Sequence, residues 1–167
     1  MTQDAALEAL AADVGHWLRG QGWMLATAES CTGGWISTAV TAIAGSSEWF
    51  DRGFVTYSNE AKREMLGVRP ETLAVHGAVS EQTVREMSTG ALAASRADVA
   101  VAVSGIAGPG GATPGKPVGT VCFAWAFRNG AVFSETLRLD GDRHAVRLQT
   151  VEHALTGLAR RAESLGR

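Results

Sequence analysis

Cysteine is scarce and a basic excess is absent. Only two cysteines, Cys31 and Cys122, occur among 167 residues. Their separation fits neither a metal-ligand spacing nor a disulfide framework. Two isolated thiols suit a reducing compartment, so a cytoplasmic location is expected. Lys and Arg number 15 against 17 Asp and Glu, for a formal net charge of −2. No basic run lies among them, so the charge stripe that tracks a phosphate backbone is missing and nucleic acid is not an expected partner. No apolar run reaches the roughly 20 residues that span a bilayer. Nor does the chain open on a basic segment followed by an apolar core, so neither a secretory leader nor a membrane partner is expected. Internal repeats and low-complexity tails are also lacking. What remains is ordinary: 46% hydrophobic and 19% charged residues, which suits a single domain over residues 1–167.

The periodicity of that apolar content alternates between helix and strand. Leu7, Leu10, Val14, Trp17 and Leu18 recur at helical spacing, which predicts a helix over 4–19 stopped by Gly20 and Gly22. A buried strand is expected over 23–28 and a helix over 33–43, ended by Gly45. "GFVTYS", 53–58, reads as a short strand. Asn59 then caps a helix closed by Gly67. Pro70–Leu73 suits a helical turn, and Ser80 caps a helix to about Ser95. "DVAVAVSG", 98–105, and "VGTVCFAWAF", 118–127, are Val-rich runs of the kind covered on both faces. Asn129-Gly130 is a hairpin turn signal, returning as a strand over 131–139. Asp142 caps a last helix with Leu148, Val151, Leu155 and Leu158 on one stripe. The alternation predicts a three-layer α/β/α sandwich, and the hairpin makes its mostly parallel sheet a mixed one. Ligands of such sheets bind at the carboxyl ends of the strands. Three polar clusters fall there: Glu29–Gly34, Tyr57–Lys62 and Ser104–Gly111.

In "TAESCTGG", 27–34, Ser30 suits either a helix N-cap or a nucleophile on a tight turn. Thr32 can also serve as the cap. As a nucleophile, Ser30 would have the N–H groups of Cys31–Gly34 at hand for an oxyanion, with glycines allowing close approach. The chain has no GxSxG elbow. Among its four histidines, His16, His76, His144 and His153, none stands in an obvious triad order. Lys62 is the better base. It falls in the first turn of its helix, where the positive dipole end would lower its pKa. Tyr57 could relay or donate a proton. The competing readings are a solvated lysine and a packed tyrosine. Cys31 is the rival nucleophile, with a thiol pKa lowered by the helix start, or else a small buried filler. "GGATPGKP", from Gly110, nearly fits a P-loop but has Pro117 where the metal-binding hydroxyl belongs, and a strand follows it. Arg143 and Arg147, one helical turn apart, fit either a phosphate clamp or surface ion pairs with Asp140 and Asp142. Trp49 and Phe50 fit either a subunit contact or the core.

Six motifs occur in one order: "TAESCTGG", "GSSEWFDRGFVTYSNEAK", "GAVSE", "VSGIAGPGG", "KPVGTV" and "GDR". Together they resemble the CinA C-terminal domain family, from about Leu7 to Leu158. The resemblance implies a CinA-like fold and hydrolytic deamidation of nicotinamide mononucleotide to nicotinic acid mononucleotide and ammonia, in pyridine nucleotide recycling. It implies no metal and no cofactor. It also implies a Ser-Lys site with a tyrosine beside it, roles that fall on Ser30, Lys62 and Tyr57. Thr32, Gly33 and Gly34 would lie next to the carboxamide, and Ser104, Gly105 and Arg143 would face the nucleotide. A homodimer or higher homo-oligomer is the expected assembly. The alternatives are a non-catalytic pyridine-nucleotide-binding or competence-associated module, and a hydrolase of a different small amide.

Overall fold

The computed structural model describes residues 2–166. In chain order the elements are α1 (Gln3–Gln21), β1 (Leu25–Glu29), α2 (Trp35–Thr41), a 3-10 turn (Ser46–Glu48), β2 (Phe50–Val55), α3 (Asn59–Leu66) and α4 (Pro70–His76). They continue with α5 (Glu81–Ala93), β3 (Val99–Gly105), β4 (Thr120–Phe127), β5 (Val132–Arg138) and α6 (Arg143–Glu163). The sheet order is β2-β1-β3-β4-β5. β1 pairs in parallel with β2 and β3, whereas β4 runs antiparallel to β3 and β5. Four of the five strands therefore point one way, yet the ladders divide evenly between the two kinds.

Period-2 alternation gives the two faces different thickness. Val99, Val101, Val103, Val121, Phe123 and Trp125 lie under α1, α2 and α6. Ala26, Ala28, Ala100, Ala102, Ala124 and Ala126 face the other way and pack with Val84, Met87 and Ala91 of α5. The large side chains fill the wide layer, and the alanines let α5 lie close against the sheet. Trp49 is buried in the first layer and Phe50 packs partly buried against it, so both belong to the core.

Several boundaries differ from the sequence reading, and one of them matters for function. β2 begins three residues before 53 and ends at Val55, before Thr56 and Tyr57. As an edge strand with exposed Arg52 and Gly53 it carries little apolar signal, so its start is hidden. Ser58, not Asn59, caps α3, accepting from the Ala61 N–H at 3.0 Å. Gly20 lies within α1, which ends at Gly22 with a left-handed φ of 70°. α2 is shorter than expected, and Gly45 precedes the 3-10 turn.

The carboxyl ends of the three parallel strands meet at one edge. Ser30 N–H donates to the Val103 carbonyl at 3.1 Å, and Thr56 N–H to the Glu29 carbonyl at 2.8 Å. Helix α3 is braced from behind by α5. A Cβ placed on Gly90 would stand 1.9 Å from the Leu66 carbonyl oxygen at the end of α3. Gly90→Ala is therefore expected to cost about 1–3 kcal/mol through overpacking, read as a lower urea midpoint with an unchanged m-value.

Candidate active site

The turn after β1 is built around Glu29, which is fully buried. Its Oε1 accepts from the Thr32 hydroxyl at 2.6 Å and the Ile36 N–H at 2.8 Å. Its Oε2 accepts from the Ser37 N–H and hydroxyl, both at 3.0 Å. Helix α2 starts at Gly34, which has no side chain to cap it. Glu29 supplies that cap from the preceding strand, satisfying two of the helix's free N–H groups with a charge its dipole favours. Ser30 is thereby released from capping and points elsewhere.

It points to Lys62. The Nζ of Lys62 lies 2.9 Å from Ser30 Oγ, 2.8 Å from the Thr56 carbonyl and 3.3 Å from the Tyr57 carbonyl. Those two carbonyls come from the residues where β2 has left the sheet. Lys62 is 1% exposed. Among the described residues no carboxylate forms an ion pair with it. Burial pushes its pKa down to about 8, and the nearby Cys31 opposes weakly. The direction agrees with the sequence reading, but desolvation, not the helix dipole, is the main cause. For Cys31 the direction reverses. The helix start was expected to lower its pKa, but burial pushes the thiol up to about 12, with Glu29 adding to the rise.

Ser30, Tyr57, Lys62, Ser104, Gly105 and Arg143 line one cavity of 260 Å³, with Cys31, Ala78, Val79 and Ala107 completing its wall. Ser104 is buried, and its hydroxyl bonds no other described residue. Tyr57 is 66% exposed and stands at the rim. Its carbonyl, not its phenol, touches Lys62. Arg143 donates to the Gly108 carbonyl at 2.8 Å and also lines an adjoining 390 Å³ recess with Pro109, Val118 and His144. Thr32, Gly33 and Gly34 lie outside the cavity lining. Thr32 turns its hydroxyl inward to Glu29, and the two glycines take left-handed φ values of 59° and 104° to form the turn. Arg147 holds the Cys31 and Thr32 carbonyls and pairs with neither Asp140 nor Asp142. Lys116 of the glycine-rich loop ties to the His76 carbonyl at 2.7 Å. His153 sits on Glu135. Sequence reasoning missed Glu29 as a cap, and Ala78 and Val79 as cavity wall. An acidic residue five before the uncapped helix start at Gly34 was the only available signal for the first.

No helix among the described residues is long and apolar enough to cross a membrane, and none of their His, Cys, Asp and Glu side chains forms a group of three that could hold a metal ion. Residues 7–162 match the family described as the CinA C-terminal domain. The chain belongs to this family. It is 57% identical to the nicotinamide-nucleotide amidohydrolase PncC of Escherichia coli K12, over 93% of this chain and 94% of that protein. It is 53% identical to a putative competence-damage inducible protein of Symbiobacterium thermophilum, covering 92% of this chain but 38% of that longer one. The crystal structure of competence damage-inducible protein A from Klebsiella pneumoniae superposes with a TM-score of 0.91 at 48% identity, over 94% and 97% of the two chains.

Glu29→Gln would set an amide NH2 against the Ile36 or Ser37 N–H, neither of which can rotate away. The expected loss is about 1–3 kcal/mol of unfolding free energy, measured by urea titration. α2 amides should gain hydrogen exchange first.

Proposed function

We propose that this protein hydrolyses the carboxamide of nicotinamide mononucleotide, giving nicotinic acid mononucleotide and ammonia, with Ser30 as nucleophile and Lys62 as its base. The observation that carries this reading is the set of atoms around the Lys62 nitrogen. A neutral amine has two N–H donors and one lone pair. Two carbonyls and one hydroxyl surround it. The carbonyls can only accept, so they take the two N–H bonds and leave the lone pair for the Ser30 hydroxyl proton. With no counter-charge and a pKa near 8, a useful fraction of the lysine is neutral at physiological pH. The identity to amidohydrolases that act on a nicotinamide nucleotide supplies the substrate class.

The steps follow from that arrangement. Lys62 takes the Ser30 proton as Oγ attacks the carboxamide carbon. The N–H groups of Cys31 and Thr32, which bond no other described residue, are the donors available to the oxyanion. Collapse of the tetrahedral adduct passes the proton from Lys62 to the leaving nitrogen, and ammonia departs. Water then enters, Lys62 takes its proton, and the acyl-Ser30 ester is cleaved, returning the proton to Ser30. The pyridine ring occupies the 260 Å³ cavity. Ser104, Gly105 and Arg143 hold the ribose phosphate, and the recess beside Arg143 gives it room. The Tyr57 phenol closes the rim. In this reading residues 1–167 form one amidohydrolase unit serving pyridine nucleotide recycling in the cytoplasm, as a homo-oligomer.

Purified protein given nicotinamide mononucleotide should release ammonia, and Ser30→Ala should lower kcat by at least about 10³-fold. A ligand-induced rise in Tm without ammonia would instead identify a binding module. The ratio kcat/KM should climb with pH and level off above about 8, because the free enzyme's lysine must lose its proton to act. A rate independent of pH between 6 and 9 would remove Lys62 from the role of base.

A further inference from the structure

Arg147 stands one turn beyond Arg143 on α6 but outside the cavity lining. Its Nε donates to the Cys31 carbonyl at 3.0 Å and its terminal nitrogen to the Thr32 carbonyl at 3.1 Å. Its guanidinium also lies 5.5 Å from the centre of the Trp35 ring. Among the described residues no carboxylate pairs with it, so its charge is directed at two backbone carbonyls.

Several other donors of the turn are assigned. Ser30 N–H goes to the Val103 carbonyl, Gly33 N–H to the Ser30 carbonyl, and Trp35 N–H to the Thr32 carbonyl. The Thr32 hydroxyl goes to Glu29. Three N–H groups of the turn bond no other described residue, those of Cys31, Thr32 and Gly34, and the first two directly follow Ser30. A trans peptide is planar, and its C=O and N–H point in opposite directions. Holding the Cys31 carbonyl toward α6 therefore fixes the Thr32 N–H pointing away from α6. A charged donor on the carbonyl also polarises the amide and strengthens its N–H as a donor.

We propose that Arg147 is a positioning residue for the reaction: its fork on the Cys31 and Thr32 carbonyls fixes and polarises the turn whose free N–H groups receive the oxyanion. This rests on the amidase reading above. Arg147 touches no substrate atom and acts through the backbone. Its loss is felt where the oxyanion forms, not where the phosphate binds.

The test compares unmodified protein, Arg147→Ala and Arg147→Lys in three measurements. The first is steady-state turnover of nicotinamide mononucleotide and of nicotinamide riboside, which lacks the phosphate. The second is the rate at which a fluorophosphonate labels Ser30, read by mass spectrometry. The third is rescue of Arg147→Ala by added ethylguanidinium. Misplacement of this kind costs on the order of 10²-fold. Arg147→Ala should lower kcat about 100-fold for both substrates with KM changed less than about threefold. Labelling should slow in parallel, ethylguanidinium should restore at least about tenfold of the loss, and the inflection near pH 8 should stay. Arg147→Lys, which can reach one carbonyl, should fall between, and it decides the matter if the alanine variant does not fold. Kinetics and labelling within about threefold of the unmodified protein would overturn the proposal. So would a KM increase confined to the phosphorylated substrate, which would make Arg147 a phosphate contact. Failure of the unmodified protein to release ammonia would remove the amidase reading instead, and the labelling rates would still decide the role of Arg147.

Discussion

A lysine nitrogen held in the protein interior without a carboxylate is the constraint on which the site depends. Water would hydrate an ammonium far better than two carbonyls and a hydroxyl do, so the folded protein raises the share of uncharged amine above that of a solvated lysine. That preference requires three things of the fold. β2 must stop at Val55 so that the Thr56 and Tyr57 carbonyls turn toward the amine. Helix α3 must lie close enough to the sheet edge for the side chain to reach Ser30. Helix α5 must close the layer behind it. The alanine face of the sheet and Gly90 meet the last two demands together, since both reduce the spacing between backbones. The thin layer of the sandwich is the layer that carries Lys62.

The opposite layer carries the support of the turn that holds Ser30. Glu29 belongs to β1 but caps α2, and Arg147 belongs to α6 but grips the turn between them. A buried carboxylate and a guanidinium thus act on the same eight-residue stretch from either side, one on its N–H groups and the other on its carbonyls. Each contact is charge-assisted, and such bonds are shorter and stronger than neutral ones. Because both carbonyls and N–H groups of the turn are tied to charged side chains, it has little freedom to rearrange. Preorganised donors cost no reorganisation at the moment of reaction.

What the sequence made legible was local. Helical spacing, Gly67 after α3, the Asn129-Gly130 hairpin and the Asp142 cap are each written in a few consecutive residues, and each stands in the structure. Ser30 and Lys62 were legible because both fall where a strand ends and a helix begins, which is where ligands of parallel strands bind. The 32-residue separation between them says nothing about contact. It is the sheet order, with β1 beside β2, that joins them. Thr32, which the family resemblance puts next to the carboxamide, gives its hydroxyl to Glu29 three residues earlier, a bond that nothing in its spacing announced. Arg147 was read with Arg143 because spacing places both on one helix face, and only the fold shows that one lines the cavity while the other grips a backbone 116 residues away.

The same burial that lowers Lys62 also bears on which side chain is proposed as nucleophile. Cys31 and Ser30 are neighbours, and a thiolate is the stronger nucleophile. A medium of low polarity disfavours charge of either sign, so it moves an acid up and a base down. Cys31 is pushed up to about 12 and Lys62 down to about 8. The two displacements separate the pair further from the ionised state, so thiolate and ammonium cannot form together near neutral pH. A thiol that keeps its proton is a poor nucleophile, and Lys62 bonds the serine oxygen, not the sulfur. Near neutral pH the thiol keeps its proton and Lys62 is shared between ammonium and amine, and in the proposed reaction the amine form takes the Ser30 proton as the oxyanion forms. An oxyanion formed there is best stabilised by dipoles already in place. In the proposed reaction the free amides after Ser30, with Glu29 on one side of the turn and Arg147 on the other, would be those dipoles.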